Sequence, residues 1–120
     1  MEDFWNAVDT EDSITGFNIE EFDLPFLCKR SLVNRVKIKA LKTQDMRKII
    51  NSFFICYQKQ IEGKMHDWAD LLNIPYETEN GIMMLKYFEN RNWEKIVAHC
   101  SEDVKVEYQI WKILKELNFL

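Results

Sequence analysis

Two places in this chain set residue types at spacings that could do chemistry. The first is residues 14–30, reading Ile-Thr-Gly-Phe-Asn-Ile-Glu-Glu-Phe-Asp-Leu-Pro-Phe-Leu-Cys-Lys-Arg, which holds Asn18, Phe22, Asp23 and Arg30. The second is His99 with Asp103, spaced i, i+4, so that on a helix both side chains lie on one face. A carboxylate is a hard oxygen ligand and an imidazole can orient or take a proton, although a lone His-x-x-x-Asp is more often a surface pair than a site. Asp9-Thr10-Glu11 also sets two carboxylates two residues apart. It lies in a polar stretch, residues 9–13, and is read as loop.

The elements that must hold these residues follow from periodicity. Ile14, Phe17 and Ile19 form a short apolar run rich in β-formers, and helical spacing resumes from Leu24 to Leu32. This predicts a strand over residues 14–19, a turn, and a helix ending near Asn34. Pro25 suits the first turn of that helix and Asp23 just before it suits its N-cap. Asp23 then stands where a strand hands over to a helix, the place outside the carboxyl end of a strand where open α/β sheets bind ligands and metals. The alternative reading of the same stretch is a capped helix after a strand.

Phe4, Trp5 and Val8 predict a helix over residues 2–8. Val36, Ile38 and Leu41 alternate roughly with lysines, predicting a second strand over residues 36–42. Asp45 is placed to start a helix that carries Met46, Ile49, Ile50, Phe53, Phe54 and Tyr57 and runs to about Gln58. Residues 58–64 read as a loop, Met65 to Leu72 as a shorter helix ended by residues 73–75, and residues 76–81 as a second loop. Trp93, Ile96, Val97, Cys100, Val104, Trp111, Leu114 and Leu117 predict a closing helix of some 20 or more residues.

The chain has 120 residues, 47% of them hydrophobic and 13% aromatic, enough for one domain with a real core. No apolar run approaches a membrane span and the N-terminus lacks the basic start of a secretory signal, so the expectation is a cytoplasmic protein without a membrane partner. Cys28, Cys56 and Cys100 lack Cys-x-x-Cys spacing and read as reduced core residues rather than as a disulfide framework or zinc site. The net charge of -4 hides a segregation: residues 1–23 hold eight acids and no base, while residues 29–48 hold eight of the 16 bases and one acid, Asp45. Such a local patch could meet phosphates or could be a solvated face.

Asn18, Phe22 and Asp23, followed by Leu-Pro-Phe-Leu and Lys29-Arg30, resemble the second motif of the DEDD-type 3′-5′ exonuclease superfamily. The likeness is closest to the exonuclease domain of family B DNA polymerases and its stand-alone relatives. The run Asp-Trp-Ala-Asp-Leu-Leu-Asn-Ile-Pro is similar to a further stretch of those relatives. The segment around His-Cys-Ser-Glu-Asp-Val looks like their third motif, with His99 at a tyrosine position.

The resemblance implies an α/β, ribonuclease H-like fold, here mostly helical with two short strands. It also implies phosphodiester hydrolysis at a DNA or RNA 3′ end, in which carboxylates hold two divalent ions, Mg²⁺ or Mn²⁺. By matching position Asp103 would be a direct metal ligand, Asp23 a ligand through water, and His99 the group that orients or deprotonates the nucleophile. Asn18 and Phe22 would line the cleft and Arg30 would meet phosphate. The family's first motif, an Asp-x-Glu on an opening strand, has no counterpart. The expectation is therefore an N-terminally truncated domain, little active by itself, whose Asp23 and Asp103 face a shared cleft and whose bare sheet edge a second copy or partner chain covers. The alternatives are a catalytically dead exonuclease-like module that keeps nucleic-acid or protein binding, and a helical domain with chance motifs.

Overall fold

Ser13–Gly16 forms strand β1 and Lys42–Asp45 forms strand β2, paired parallel with Ser13 opposite Lys42 and Gly16 opposite Asp45. Parallel strands need a crossover, and here helix α2, Asp23–Val33, provides it. In this computed structural model residues 1–54, 63–77 and 81–120 are described. The chain divides into two compact units, Met1–Ile61 and Glu62–Leu120. The architecture is mixed α/β, mostly helical, with two short parallel strands.

The first unit also contains helix α1, Glu2–Ala7, and helix α3, Met46–Phe54. Its apolar core is Trp5, Phe17, Ile19, Met46 and Ile50, all buried. Trp5 brings a polar indole N–H into that core, and Ser31 of α2 answers it: Trp5 Nε1 donates to Ser31 Oγ at 2.8 Å, while Ser31 donates to the Leu27 carbonyl at 2.8 Å.

Both strands differ from the sequence expectation. The first ends at Gly16 instead of running to Ile19, because residues 17–22 fold into a turn in which Asn18 is left-handed at φ 62°. Gly16 permits that closure: a Cβ there would stand 2.3 Å from Ile19 Cγ2. The second strand lies over Lys42–Asp45 instead of residues 36–42. Residues 36–41 belong to no strand, and what pairs with β1 is a more polar segment, joined to it also by Thr15 Oγ1 donating to Gln44 Oε1 at 3.1 Å.

The second unit contains helices α4, Met65–Leu71, α5, Gly81–Glu89, and α6, Trp93–Glu116. Helices α4 and α5 both pack on α6, around Ala69, Ile74, Val106, Ile110 and Leu114. Asn73, left-handed at φ 57°, turns the chain out of α4, in keeping with the expected end at residues 73–75. Helix α5 has no counterpart in the sequence reading. Cys100 is exposed and Cys28 half-buried, so the core reading of these two is corrected, and Cys56 lies outside the described residues. The predicted extension of α3 to Gln58 also lies outside them. No helix among the described residues is long and apolar enough to cross a membrane.

Candidate functional site

The turn between β1 and α2 is organised by Asp45, the last residue of β2, which is 3% exposed. Its Oδ1 accepts the backbone N–H groups of Asn18 at 2.9 Å and Arg47 at 3.1 Å, and its Oδ2 accepts that of Glu20 at 3.1 Å. A single carboxylate thus closes the turn after one strand and caps the first turn of the helix after the other. Charge-assisted bonds of this kind are roughly twice as strong as neutral ones. Arg47 reinforces the same turn: its guanidinium donates to Asn18 Oδ1 at 3.0 Å and lies 3.5 Å from the Glu21 carboxylate. Glu20 accepts from Thr43 Oγ1 at 2.6 Å and pairs with Lys48. The Lys48 bond, followed by that from Thr43, holds the Glu20 carboxyl below its usual range.

Asp23 is the first residue of α2, and Phe22 occupies the N-cap position without a side-chain capping bond. The expected N-cap role of Asp23 is therefore corrected: the turn is held by Asp45 from another strand. Asp23 as a whole is exposed, yet its carboxyl is pushed above the ordinary range. Partial desolvation is the main cause. A bond with its own backbone N–H opposes the shift and the charge of Asp45 adds to it. Asn18 is half-buried with its side-chain oxygen occupied by Arg47, Phe22 is 69% exposed, and Arg30 is exposed in the last turn of α2.

The basic stretch is partly spent inside the first unit. Lys39 donates to the Val8 carbonyl, Lys42 pairs with Glu11, Lys48 with Glu20 and Arg47 with Glu21. Asp9 and Glu11 belong to the polar turn before β1. Asp9 Oδ1 there accepts from Thr10 Oγ1 and the Glu11 N–H, both at 3.4 Å.

In the second unit α6 carries His99 and Asp103 on one face, with His99 Nε2 3.4 Å from Asp103 Oδ2. The sequence reading missed the third member. His66 of α4 brings its Nε2 to 3.5 Å from Asp103 Oδ1, so both histidines of the chain converge on one carboxylate. Tyr76 stacks on the His66 ring, centroids 4.2 Å apart and planes 7° from parallel, and donates its hydroxyl to Asp70 Oδ2 at 3.1 Å. Desolvation first, then the bond and charge of Asp70, hold the Tyr76 phenol above its ordinary pKa and keep it a donor. The signal that could have flagged His66 is the count of two histidines.

Asp23 and Asp103 belong to different units, each described by itself. Among the described residues no three His, Cys, Asp or Glu side chains gather as a set able to hold a metal ion.

Across 132 aligned residues the chain is 32% identical to Uncharacterized protein MJ0365 of Methanocaldococcus jannaschii, the match covering 98% of this chain and 73% of that protein. No model of a known protein family matches the chain, and no solved structure does.

Proposed function

The chain belongs to the same family as the Methanocaldococcus jannaschii protein, and we propose that it is a 3′-5′ exonuclease-like domain of ribonuclease H-like fold that engages nucleic-acid 3′ ends, with Mg²⁺ or Mn²⁺ as the ion of the reaction. The observation that carries this reading is the turn after β1. It lies beyond the carboxyl end of a parallel strand, where α/β sheets bind ligands. It presents Asn18, Phe22 and Asp23 together, and Asp23 is partly desolvated beside a second carboxylate. Perturbed carboxyls of this kind concentrate at functional sites, although ion-pair networks perturb them too.

On this reading the exposed Phe22 ring stacks on a terminal base and the Asn18 amide hydrogen-bonds the terminal nucleotide. Asp23 and Arg30 of the first unit offer an oxygen ligand and a phosphate contact, and in the second unit Asp103 offers an oxygen ligand while His99 orients a water. The ligand set falls short of two ions. Asp45 is 3% exposed with its oxygens turned to backbone N–H groups, and no ligand trio gathers among the described residues. Hydrolysis therefore needs carboxylates beyond these, and we assign the residues in hand only binding and orientation. A little over a quarter of the archaeal relative lies outside the match. A catalytically dead module that binds nucleic acid or protein is the second reading, favoured by that same shortage of ligands.

The test is binding of single-stranded DNA and RNA oligonucleotides with free or phosphate-blocked 3′ ends, with and without Mn²⁺. Preference for the free end, strengthened by Mn²⁺ and weakened by Asp23→Asn or Asp103→Asn, with little cleavage, is the expected result. Equal binding of free and blocked ends with no Mn²⁺ effect would defeat the exonuclease reading. Robust 3′-end degradation lost on Asp23→Ala would show that acids such as Asp9 and Glu11, or a second subunit, complete the site.

A further inference from the structure

Asp103 has an imidazole nitrogen within 3.5 Å of each carboxylate oxygen, and the two contacts differ in origin. His99 sits one helical turn away on α6, a contact that helix geometry alone provides. His66 comes from α4, and nothing local obliges it to point at Asp103. Its imidazole is held by the parallel Tyr76 ring, and Tyr76 is itself tied through its hydroxyl to Asp70 of α4. The chain of contacts runs from Asp70 to Tyr76 to His66 to Asp103, so the Tyr76 ring sets the plane of the His66 ring. Partners that fix the orientation of a ligating side chain typically change metal affinity by about 10–100-fold when removed.

We propose that His66 is a positioning residue: it holds Oδ1 of Asp103 while His99 holds Oδ2, so that the carboxylate presents one orientation. The use of that orientation for an ion rests on the exonuclease reading, whereas the clamp itself does not.

His66→Phe keeps a ring against Tyr76 and deletes the nitrogen, and His66→Gln returns an N–H donor on a side chain of similar reach. In the full chain, labelled with ¹³C, the side-chain carboxyl signal of Asp103 should move in His66→Phe and return most of the way in His66→Gln. A double-mutant cycle of His66→Phe with Asp103→Asn should show coupling of about twofold to fivefold in the unfolding equilibrium constant, the range for partly exposed pairs. The Mn²⁺ concentration that half-broadens the Asp103 signal should rise about tenfold in His66→Phe. An unmoved Asp103 signal together with additive unfolding effects would overturn the clamp, and so would an unchanged Mn²⁺ midpoint overturn its positioning role. If Mn²⁺ never broadens Asp103 in the parent chain while the signal still moves and the cycle still couples, the clamp stands and the metal assignment of the exonuclease reading fails.

Discussion

Replacing Asp45 should cost more stability than any other polar substitution in the first unit, because three backbone N–H groups end on its two oxygens at 2.9–3.1 Å. In Asp45→Ala all three donors lose their acceptor in a place that is 3% exposed. A net hydrogen bond contributes about 1 kcal/mol, more when one partner is charged, so the loss should be about 3–5 kcal/mol. Asp45→Asn keeps one oxygen for Asn18 and Arg47 and sets an amide NH₂ against the Glu20 N–H. One bond lost and one donor stranded predict about 2 kcal/mol, or roughly thirtyfold in the unfolding constant. Native-state hydrogen exchange reads this locally: the amides of Asn18, Glu20 and Arg47 should lose protection together in Asp45→Ala, and Glu20 first in Asp45→Asn. Urea unfolding gives the global value against a domain stability of about 5–15 kcal/mol. If Asp45→Ala unfolds within about 0.5 kcal/mol of the parent, the size of an ordinary surface substitution, the organising role assigned to this carboxylate is wrong.

Gly16→Ala should destabilise by about 1–3 kcal/mol, since the new methyl would meet Ile19 Cγ2 at 2.3 Å and a buried, β-branched side chain has little freedom to move aside; a urea midpoint unchanged from the parent would count against the turn geometry. Asp23 has a folded pKa above its unfolded value, so the native state binds more protons, and stability is present below the unfolded pKa and falls as pH rises through the folded one. Asp23→Asn should accordingly remove that fall and be more stable than the parent at neutral pH, with Tm followed from pH 3 to pH 7; a variant less stable at neutral pH would reverse the sign argued for its desolvation.

Local periodicity determined most of the helical framework. The helices at Glu2–Ala7, Asp23–Val33, Met65–Leu71 and Trp93–Glu116 match their sequence readings to within a residue or two, because apolar spacing, polar stops and helix breakers all act within a few residues. Gly81–Glu89 escaped notice because six of its nine residues are apolar and leave no polar face to mark a period. The pairing of His99 with Asp103 was legible too, since one helix turn brings them together.

Tertiary structure decided whatever depends on a partner distant in the chain. A strand exists only where another strand offers hydrogen bonds, so β2 formed at Lys42–Asp45 beside Ser13–Gly16 and the more apolar residues 36–41 stayed unpaired. Asp45 read as a helix start, which it is through the Arg47 N–H. Its hold on Asn18 and Glu20, more than twenty residues earlier, appears only once parallel pairing sets Asp45 beside Gly16. His66 reaches Asp103 for the same reason: α4 packs on α6, and no spacing in the sequence records that contact.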